Sequence, residues 1–163
     1  MTDNKIILDA CCGGRMFWFD KHQKNTIYID NSHRSKGTSA LRPNFECAPD
    51  VVMDFRALTF ADCTFKLVVW DPPHLFLGAT SEMRKKYGSL DRATWKEDLK
   101  QGFSEIWRVL QSGGVLVFKW NEGSVPLKEI LALFPQQPLF GHPTGSKSKT
   151  HWCVFMKITD DLT

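Results

Sequence analysis

The sequence lacks several patterns, and each absence excludes a class of protein. No apolar stretch approaches the ~20 residues of a membrane span, and no signal peptide precedes the first strand-like segment. We therefore expect a cytoplasmic protein that does not enter membranes. The Gly-x-Gly-x-x-Gly pattern is also missing, because Arg15 and Met16 stand where glycines would admit a pyrophosphate. This argues against a dinucleotide cofactor.

The five cysteines follow neither a ligand spacing nor a disulfide spacing. Cys11 and Cys12 are adjacent, and no Cys-x-x-Cys pair occurs, so the spacing supports neither a zinc site nor a disulfide framework. We expect free thiols in a reducing compartment and no metal ion.

The residues that are present fit one globular domain. A chain of 163 residues can bury one hydrophobic core, and we assign residues 1–163 to a single domain. Twelve Phe and six Trp are a heavy aromatic load, and such rings fill cores or stack on flat ligands such as bases. The formal net charge of +3 permits a polyanionic partner without indicating one.

Apolar runs and helical patterns alternate along the chain. Short apolar runs predict five strands, at residues 5–12, 26–30, 51–53, 66–70 and 115–120. A short helix is expected at 16–19, a loop at 32–50, a partly helical loop at 75–92 and a helix at 127–134. A Thr94-x-x-Glu97 capping box is expected to start a long helix that Ser112-Gly113-Gly114 ends.

The last two strand-like segments, near residues 139–140 and 151–158, have no helix between them and predict a hairpin. The alternation predicts an α/β fold with a Rossmann-like, doubly wound, mostly parallel sheet and a C-terminal antiparallel hairpin. In such sheets ligands bind beyond the carboxyl ends of the strands.

Four acids lie at the ends of the first four predicted strands. They are Asp9, Asp30, Asp54 and Asp71. Any one of them could be a solvated turn or a cap, but four together are hard to explain by packing alone, so this edge of the sheet is the candidate site.

The segment Leu8-Asp9-Ala10-Cys11-Cys12-Gly13-Gly14-Arg15 joins the first strand to the expected short helix. Its small residues allow a ligand to approach the backbone, and a helix start would offer free N–H groups. An ordinary tight turn is an equally good interpretation. An acid such as Asp30, about twenty residues further on, is typical of ribose binding. The two features together do not distinguish a nicotinamide dinucleotide from S-adenosylmethionine.

Asp71-Pro72-Pro73-His74 is the most specific pattern in the chain. Two prolines fix the backbone and remove two N–H donors, which leaves rigid carbonyl acceptors beside the carboxylate of Asp71. Acceptors without donors suit an amino group, and the His74 ring can stack on a planar substrate. The alternative is a chance Pro-Pro turn.

The order of these motifs resembles the class I S-adenosylmethionine-dependent methyltransferases, from Ile6 to about Ile158. Asp71-Pro72-Pro73-His74 resembles the (Asp/Asn/Ser)-Pro-Pro-(Tyr/Phe) signature of amino-methyltransferases, which modify exocyclic amines of adenine, cytosine or guanine in nucleic acid. A related Asn-Pro-Pro motif occurs in methyltransferases of protein glutamine. The chain is similar to compact methyltransferases carried by phages and prophages.

The resemblance implies a role for each matching residue, with S-adenosylmethionine as the cofactor. The loop under its methionine part would be Asp9, Ala10, Cys11, Cys12 and Gly13. Asp30 would hold the ribose hydroxyls with Asn31 beside it, Asp54 would accept from the adenine amino group, and Phe55 would flank the ring. Asp71, Pro72, Pro73 and His74 would hold and stack the target.

Two residues depart from the family pattern. Arg15 replaces the last loop glycine, and His74 replaces the aromatic Tyr or Phe.

The resemblance implies direct in-line methyl transfer from the cofactor to the amine. The acceptors would favour a more pyramidal amine nitrogen and stabilise the positive charge that develops on it.

Basic and aromatic residues outside these motifs are candidates for binding the substrate. They are Arg84, Lys85, Lys119, Trp120, Lys147 and Lys149. Solvated loops explain the basic residues equally well, and Trp120 fits the core as well as a stacking role.

The chain has no room for a large target-recognition region. Recognition would use these loops, or a homodimer or recognition partner would contribute. We expect a nucleic-acid substrate, with DNA ahead of RNA. The alternatives are a protein side-chain amide or small-molecule substrate, and a non-catalytic module that binds cofactor or nucleic acid.

Overall fold

The computed structural model describes residues 5–145 and 148–158. In this part of the chain the predicted strands form, but four strands precede the first helix, so strands and helices do not alternate regularly. The strands are β1 Ile7–Asp9, β2 Thr26–Asp30, β3 Val51–Val52, β4 Phe65–Trp70, β5 Leu110–Asn121, β6 Phe140–Pro143 and β7 Thr150–Met156. The helices are α1 Glu82–Tyr87, α2 Trp95–Val109 and α3 Leu127–Leu131.

The strands form one sheet in the order β3-β2-β1-β4-β5-β7-β6. β1 lies parallel between β2 and β4, with Leu8 opposite both Ile27 and Val68. β5 runs parallel to β4, whereas β7 is antiparallel to both β5 and β6. This confirms the Rossmann-like, mostly parallel sheet with a C-terminal antiparallel hairpin. The chain crosses from β3 to the other side of β1, so the switch point lies at the carboxyl ends of β1 and β4.

Aromatic and aliphatic side chains from α2 fill one side of the sheet. Leu99, Phe103 and Ile106 are buried at helical spacing, as the sequence pattern predicts. The Phe103 ring stacks on Phe134 with centroids 4.3 Å apart, and the buried Trp70 of β4 packs beside this pair. This core fixes α2 against the strands that carry the site.

The two ends of α2 differ from the sequence prediction. Thr94 makes no capping hydrogen bond to the helix backbone, and its hydroxyl instead donates to the Asp98 carboxylate over 2.7 Å, so the expected capping box does not form. The helix ends at Val109, before the Ser-Gly-Gly segment, because Leu110 already pairs with Phe65 in the sheet. Sheet pairing therefore overrides the glycine stop signal.

The expected short helix at 16–19 is absent. Turns replace it, with Arg15 N donating to Cys12 O over 2.7 Å and Trp18 N donating to Arg15 O over 3.3 Å. Gly13 and Arg15 both have left-handed backbones, with φ of 47° and 52°, which turns the chain away from a helix. No helix start therefore offers N–H groups here, and a ligand would meet the loop itself.

Arg15 holds this loop in place. Its guanidinium donates to Lys21 O and Ala48 O over 2.6 and 2.9 Å, and it pairs with Asp50 over 3.1 Å. The same group lies 3.7 Å from the centroid of the Tyr28 ring. The arginine that replaces the glycine of the family pattern thus ties the loop to its neighbours.

The remaining helices are short. The 75–92 segment is partly helical, as expected, and the helix expected at 127–134 ends at Leu131. Within 5–145 and 148–158, no helix combines the length and the hydrophobicity needed to cross a membrane.

Candidate active site

A cavity of about 300 Å³ opens at the carboxyl ends of β1, β2 and β4, which is the switch point of the sheet. Its volume is at the lower end for small-molecule sites. The lining residues are Cys11, Cys12, Gly13, Gly14, Met16, Phe17, Asp30, Asn31, Arg34, Phe55, Asp71, Pro72, Pro73, His74, Leu75, Leu77, Met83, Lys86, Tyr87, Gly88 and Lys119.

The loop after β1 forms one wall, from Cys11 to Gly14. A Cβ on Gly13 would meet no atom within 4 Å, so the backbone there is open to a ligand. Ala10 is buried, donates its N–H to Val69 O over 2.9 Å, and does not line the cavity.

Asp9 supports this wall from behind and does not line the cavity. It is fully buried, and its Oδ1 accepts from Cys11 N over 3.2 Å while its Oδ2 accepts from Trp18 Nε1 over 2.7 Å. Burial raises the pKa of Asp9 to about 7, against the lowering effect of the Trp18 and Cys11 donors. Asp9 is therefore a positioning residue of the loop.

Asp30 joins the loop to the end of β2 and lines the cavity. Its Oδ2 accepts from Gly13 N over 3.1 Å, and its Oδ1 accepts from Arg34 Nη1 over 3.0 Å. Asn31 is exposed at the rim, where its Oδ1 accepts from Arg34 Nη2 over 3.2 Å. The sequence prediction missed Arg34, which lies four residues after Asp30 and partners its carboxylate.

Phe55 reaches the cavity, whereas Asp54 does not. The Asp54 carboxylate accepts from Arg56, with an Nη2–Oδ2 distance of 2.6 Å, and these hydrogen bonds lower its pKa. Asp54, the predicted acceptor for the adenine amino group, is therefore paired with Arg56 and does not line the cavity. Phe55 packs edge-on against Trp70, with centroids 5.5 Å apart, and remains a candidate for flanking a ring.

Asp71 follows β4 and is paired on one side only. Its Oδ2 accepts from Lys119 Nζ over 2.5 Å. Its Oδ1 is buried and accepts a hydrogen bond from none of the described residues, since His74 Nδ1 is 3.9 Å away. A buried acceptor without a donor costs free energy, so this oxygen calls for an explanation.

The rest of the motif is held rigidly. His74 Nδ1 lies 3.2 Å from Pro72 O, and burial lowers the pKa of His74 although Asp71 opposes the shift. A neutral ring with its proton on Nδ1 would donate to that carbonyl. Pro73 packs against Gly88, where a Cβ would lie 3.3 Å from Pro73 Cγ. Asp71, Pro72, Pro73 and His74 all line the cavity, as the sequence predicted.

Of the predicted substrate-binding residues in the described chain, only Lys119 lines the cavity. Trp120 is fully buried and donates its indole N–H to Val125 O over 2.9 Å. It therefore belongs to the core and cannot stack on a base. Lys149 is exposed and lies outside the cavity wall, and Lys147 lies outside the described residues.

The basic segment at 84–87 presents its second half to the cavity. Arg84 donates to Leu77 O over 3.2 Å and Lys85 pairs with Glu82 over 2.6 Å, and neither lines the cavity. Lys86 and Tyr87 line it instead. Because α1 comprises only the six residues Glu82–Tyr87, the sequence offered no helical periodicity that would choose between these neighbours.

Several apolar side chains of the cavity wall were also missed. They are Met16, Phe17, Leu75, Leu77 and Met83. Phe17 is held edge-on by Trp152 of β7, with centroids 5.4 Å apart. Only its position directly after the first loop could have suggested it.

Cys12 and Cys47 meet behind the loop, although 35 positions separate them in the sequence. Their sulfur atoms and a carboxylate oxygen of Asp30 lie within 4.8 Å of one another. The Asp30 carboxylate also accepts from Gly13 and Arg34, and this explains its position without a metal ion. All five thiols are free.

Neither a protein-family model nor a curated protein sequence matches the chain, whereas solved structures do. A TehB-like SAM-dependent methyltransferase from Corynebacterium glutamicum is 17% identical over 94% of this chain and 80% of its own, with a TM-score of 0.55. N-methyltransferase NodS from Bradyrhizobium japonicum is 14% identical over 94% and 84%, with a TM-score of 0.53.

A geranyl diphosphate methyltransferase, solved with GPP and sinefungin, is 12% identical over 93% of this chain and 70% of its own, with a TM-score of 0.54. At such low identity these likenesses establish the fold: the chain has the Rossmann-like fold of S-adenosylmethionine-dependent methyltransferases.

Proposed function

We propose that the chain is an S-adenosylmethionine-dependent methyltransferase that methylates an exocyclic amino group of a nucleic-acid base. Adenine or cytosine in DNA is the favoured target, and RNA is the next. The observation that carries the proposal is the Asp71 carboxylate, which lines the cavity with one buried oxygen lacking a donor among the described residues. An amino group supplies that donor.

The residues around the first loop fit the cofactor. Gly13 leaves its backbone open, Asp30 presents a carboxylate at the end of β2, and Phe55 offers a ring face. The methyltransferases that share the fold support this choice, one of them solved with sinefungin. When bound, S-adenosylmethionine supplies a methyl group already activated on its sulfonium.

The chain's own part in the reaction is to hold and orient the amine. The carboxyl torsion of aspartate is broad, so a small rotation of the Asp71 carboxylate would present its unpaired oxygen to the cavity. One amine hydrogen would donate there, and the Pro72 carbonyl could accept a second through its free lone pair. Positive charge developing on the nitrogen would then lie beside a carboxylate.

Lys119 narrows the choice of target. Its ammonium donates one N–H to Asp71 Oδ2. Its other N–H groups remain for an acceptor that lies beside the amino group of the target base. Adenine places N1 beside its amino group and cytosine places N3 there. On the Watson–Crick edge of guanine, an N–H donor lies beside the amino group instead. In a duplex the base must be flipped out at a cost of a few kcal/mol.

A primary amide also pairs an N–H donor with a neighbouring acceptor, so the protein side-chain alternative fits the same two residues. A homodimer or a recognition partner is proposed to supply sequence contacts, because Lys119 alone among the predicted contacts of the described chain lines the cavity.

Methyl labelling tests the proposal. Tritiated S-adenosylmethionine is incubated with the protein and, separately, single-stranded DNA, duplex DNA, RNA or protein extract. We expect label in DNA and a loss of at least about 100-fold in Asp71→Ala, with Asp20→Ala, an exposed acid outside the cavity, as the matched control. Circular dichroism checks that both variants fold.

The other outcomes decide against the proposal. Label in protein alone would show that the substrate is a side-chain amide. Cofactor binding without label in any fraction would indicate a non-catalytic module. Normal transfer by Asp71→Ala would remove Asp71 from the mechanism.

A further inference from the structure

We infer that Lys86 is the anion-binding residue of the cavity and that it binds an oxyanion of a ligand, a carboxylate or a phosphate. This inference rests on the proposed function for the identity of the ligands. Lys86 is only 9% exposed and lines the cavity. Within residues 5–145 and 148–158, its ammonium makes neither a hydrogen bond nor an ion pair; its contacts are with two aromatic rings.

Those rings contact the ammonium but provide no oxygen acceptor for its N–H groups. Nζ lies 4.7 Å from the centroid of Phe45 and 4.3 Å from that of Tyr87. Cation–π contacts are favourable, but they leave the N–H groups of the ammonium without an oxygen acceptor among the described residues. An oxyanion of a ligand in the cavity would supply that acceptor and a charge of opposite sign.

The nearby carboxylates are already partnered by other cations. Asp30 pairs with Arg34 over 3.0 Å, Asp71 pairs with Lys119 over 2.5 Å, and Glu82 on the same helix pairs with Lys85. The cavity wall thus carries two carboxylates and three cations, and the excess positive charge belongs to Lys86. A ligand oxyanion bound beside Lys86 would neutralise this remaining positive charge.

Lys86 lies near both the first loop and the Asp71-Pro72-Pro73-His74 motif. On one side Phe45 packs on the first loop, where a Cβ on Gly14 would lie 2.9 Å from its ring. On the other side Gly88 packs against Pro73. Helix α1 is fixed there, because the Glu82 carboxylate accepts from Ala40 N over 2.8 Å.

Two ligands of the proposed reaction could bring an oxyanion to this position. One is the carboxylate at the methionine end of S-adenosylmethionine, if that end lies on the first loop. The other is a phosphate flanking the target base, if the base lies at Asp71. Both groups are oxyanions that a lysine ammonium can bind, and binding measurements distinguish the cofactor carboxylate from the phosphate.

The test compares wild type, Lys86→Met, Lys86→Arg and Lys100→Met. Lys100 is an exposed lysine on α2 whose removal also deletes one positive charge. Calorimetry measures the affinity for S-adenosylmethionine and for decarboxylated S-adenosylmethionine, and fluorescence anisotropy measures the affinity for a labelled oligonucleotide. None of these measurements requires methyl transfer, so a failed methylation assay leaves the inference testable.

We expect Lys86→Met to weaken the binding of one ligand that carries an oxyanion about tenfold or more, while Lys86→Arg and Lys100→Met stay within about threefold of wild type. A loss for S-adenosylmethionine but not for its decarboxylated form assigns the cofactor carboxylate. A loss for the oligonucleotide alone assigns a phosphate. Thermal denaturation should show Lys86→Met with a melting temperature close to that of wild type, because methionine replaces the apolar stem of the lysine.

The inference is overturned if Lys86→Met binds all three probes as wild type does, or if it loses equal affinity for both forms of the cofactor. A lower melting temperature with unchanged binding would assign Lys86 a purely structural role. Wild-type protein that binds no probe would overturn the inference and the proposed function together.

Discussion

The contact between Gly102 and Phe55 allows one substitution to be predicted in magnitude. Gly102 lies in the interior of α2, where alanine would ordinarily stabilise the helix by about 0.8–1.0 kcal/mol. Here, however, a Cβ would lie 2.5 Å from both Cδ2 and Cε2 of Phe55 and 3.0 Å from Cζ2 of Trp70. Overpacking of this kind typically costs about 1–3 kcal/mol.

The direction in which the clash is relieved follows from burial. Trp70 is fully buried and packs against Phe118, with centroids 5.2 Å apart, so it cannot move. Phe55 has the cavity on one side and is the ring that can shift. We therefore expect Gly102→Ala to be destabilised by about 0–2 kcal/mol relative to wild type, with Phe55 displaced towards the cofactor site.

Two measurements check this prediction. Urea unfolding should show the loss of stability, which corresponds to a melting temperature lower by up to about 8 °C for a chain of this size. Calorimetry should show S-adenosylmethionine bound about tenfold more weakly. Ser104→Ala, an exposed position on the same helix, is the control and should gain a few tenths of a kcal/mol at unchanged affinity.

Gly102→Ala combined with Phe55→Leu should recover part of the lost stability, because the smaller side chain makes room. A Gly102→Ala variant that is stabilised by about 1 kcal/mol and binds the cofactor normally would contradict this prediction. The gain in helix propensity would then exceed the cost of the contact with Phe55. The prediction that Phe55 shifts towards the cofactor site would then be wrong.

Three further substitutions test the electrostatics of the fold. The pKa of Asp9 is about 7 when folded and 3.8 ordinarily, so its stabilising contribution is present below about pH 4 and is lost as pH rises through 7. Asp9→Asn should flatten this decline, on the order of 4 kcal/mol, in urea unfolding at a series of pH values. Burial lowers the pKa of His74 below 6.5, so stability should fall as pH drops below 6.5, and His74→Phe should remove that loss. Lys157 Nζ donates to Trp107 O and Leu110 O over 2.6 and 2.8 Å at the end of α2, and Lys157→Met should cost about 1–3 kcal/mol in the same assay.

Each of these predictions has an outcome that contradicts it. A pH profile of stability that is the same in Asp9→Asn and wild type would mean that Asp9 stays ionised when folded. An unchanged acid limb in His74→Phe would place that titration on another group. A Lys157→Met variant as stable as wild type would show that water serves the two carbonyls equally well.

The sequence by itself determined the strands of the sheet, helix α2 and the rigid Asp71-Pro72-Pro73-His74 motif, whereas the helix expected at 16–19 did not form. Apolar runs indicate the strands and helical spacing indicates α2, so the α/β sheet could be predicted from neighbours along the chain. Asp71-Pro72-Pro73-His74 was found for the same reason, because its rigidity and its acceptors belong to four consecutive residues. The parallel sheet then brought Asp30 and Asp71 to one cavity, as strand ends must do.

Only the tertiary structure decided which of the predicted side chains reach the cavity and which residues they contact. Asp54 turns to Arg56, Trp120 enters the core, and Lys86 rather than Lys85 reaches the cavity. Likewise, the pairing of Lys119 with Asp71 joins residues 48 positions apart. Such contacts depend on how loops and helices cross the ends of the strands. That geometry arises from packing between distant parts of the chain, which local sequence patterns do not encode.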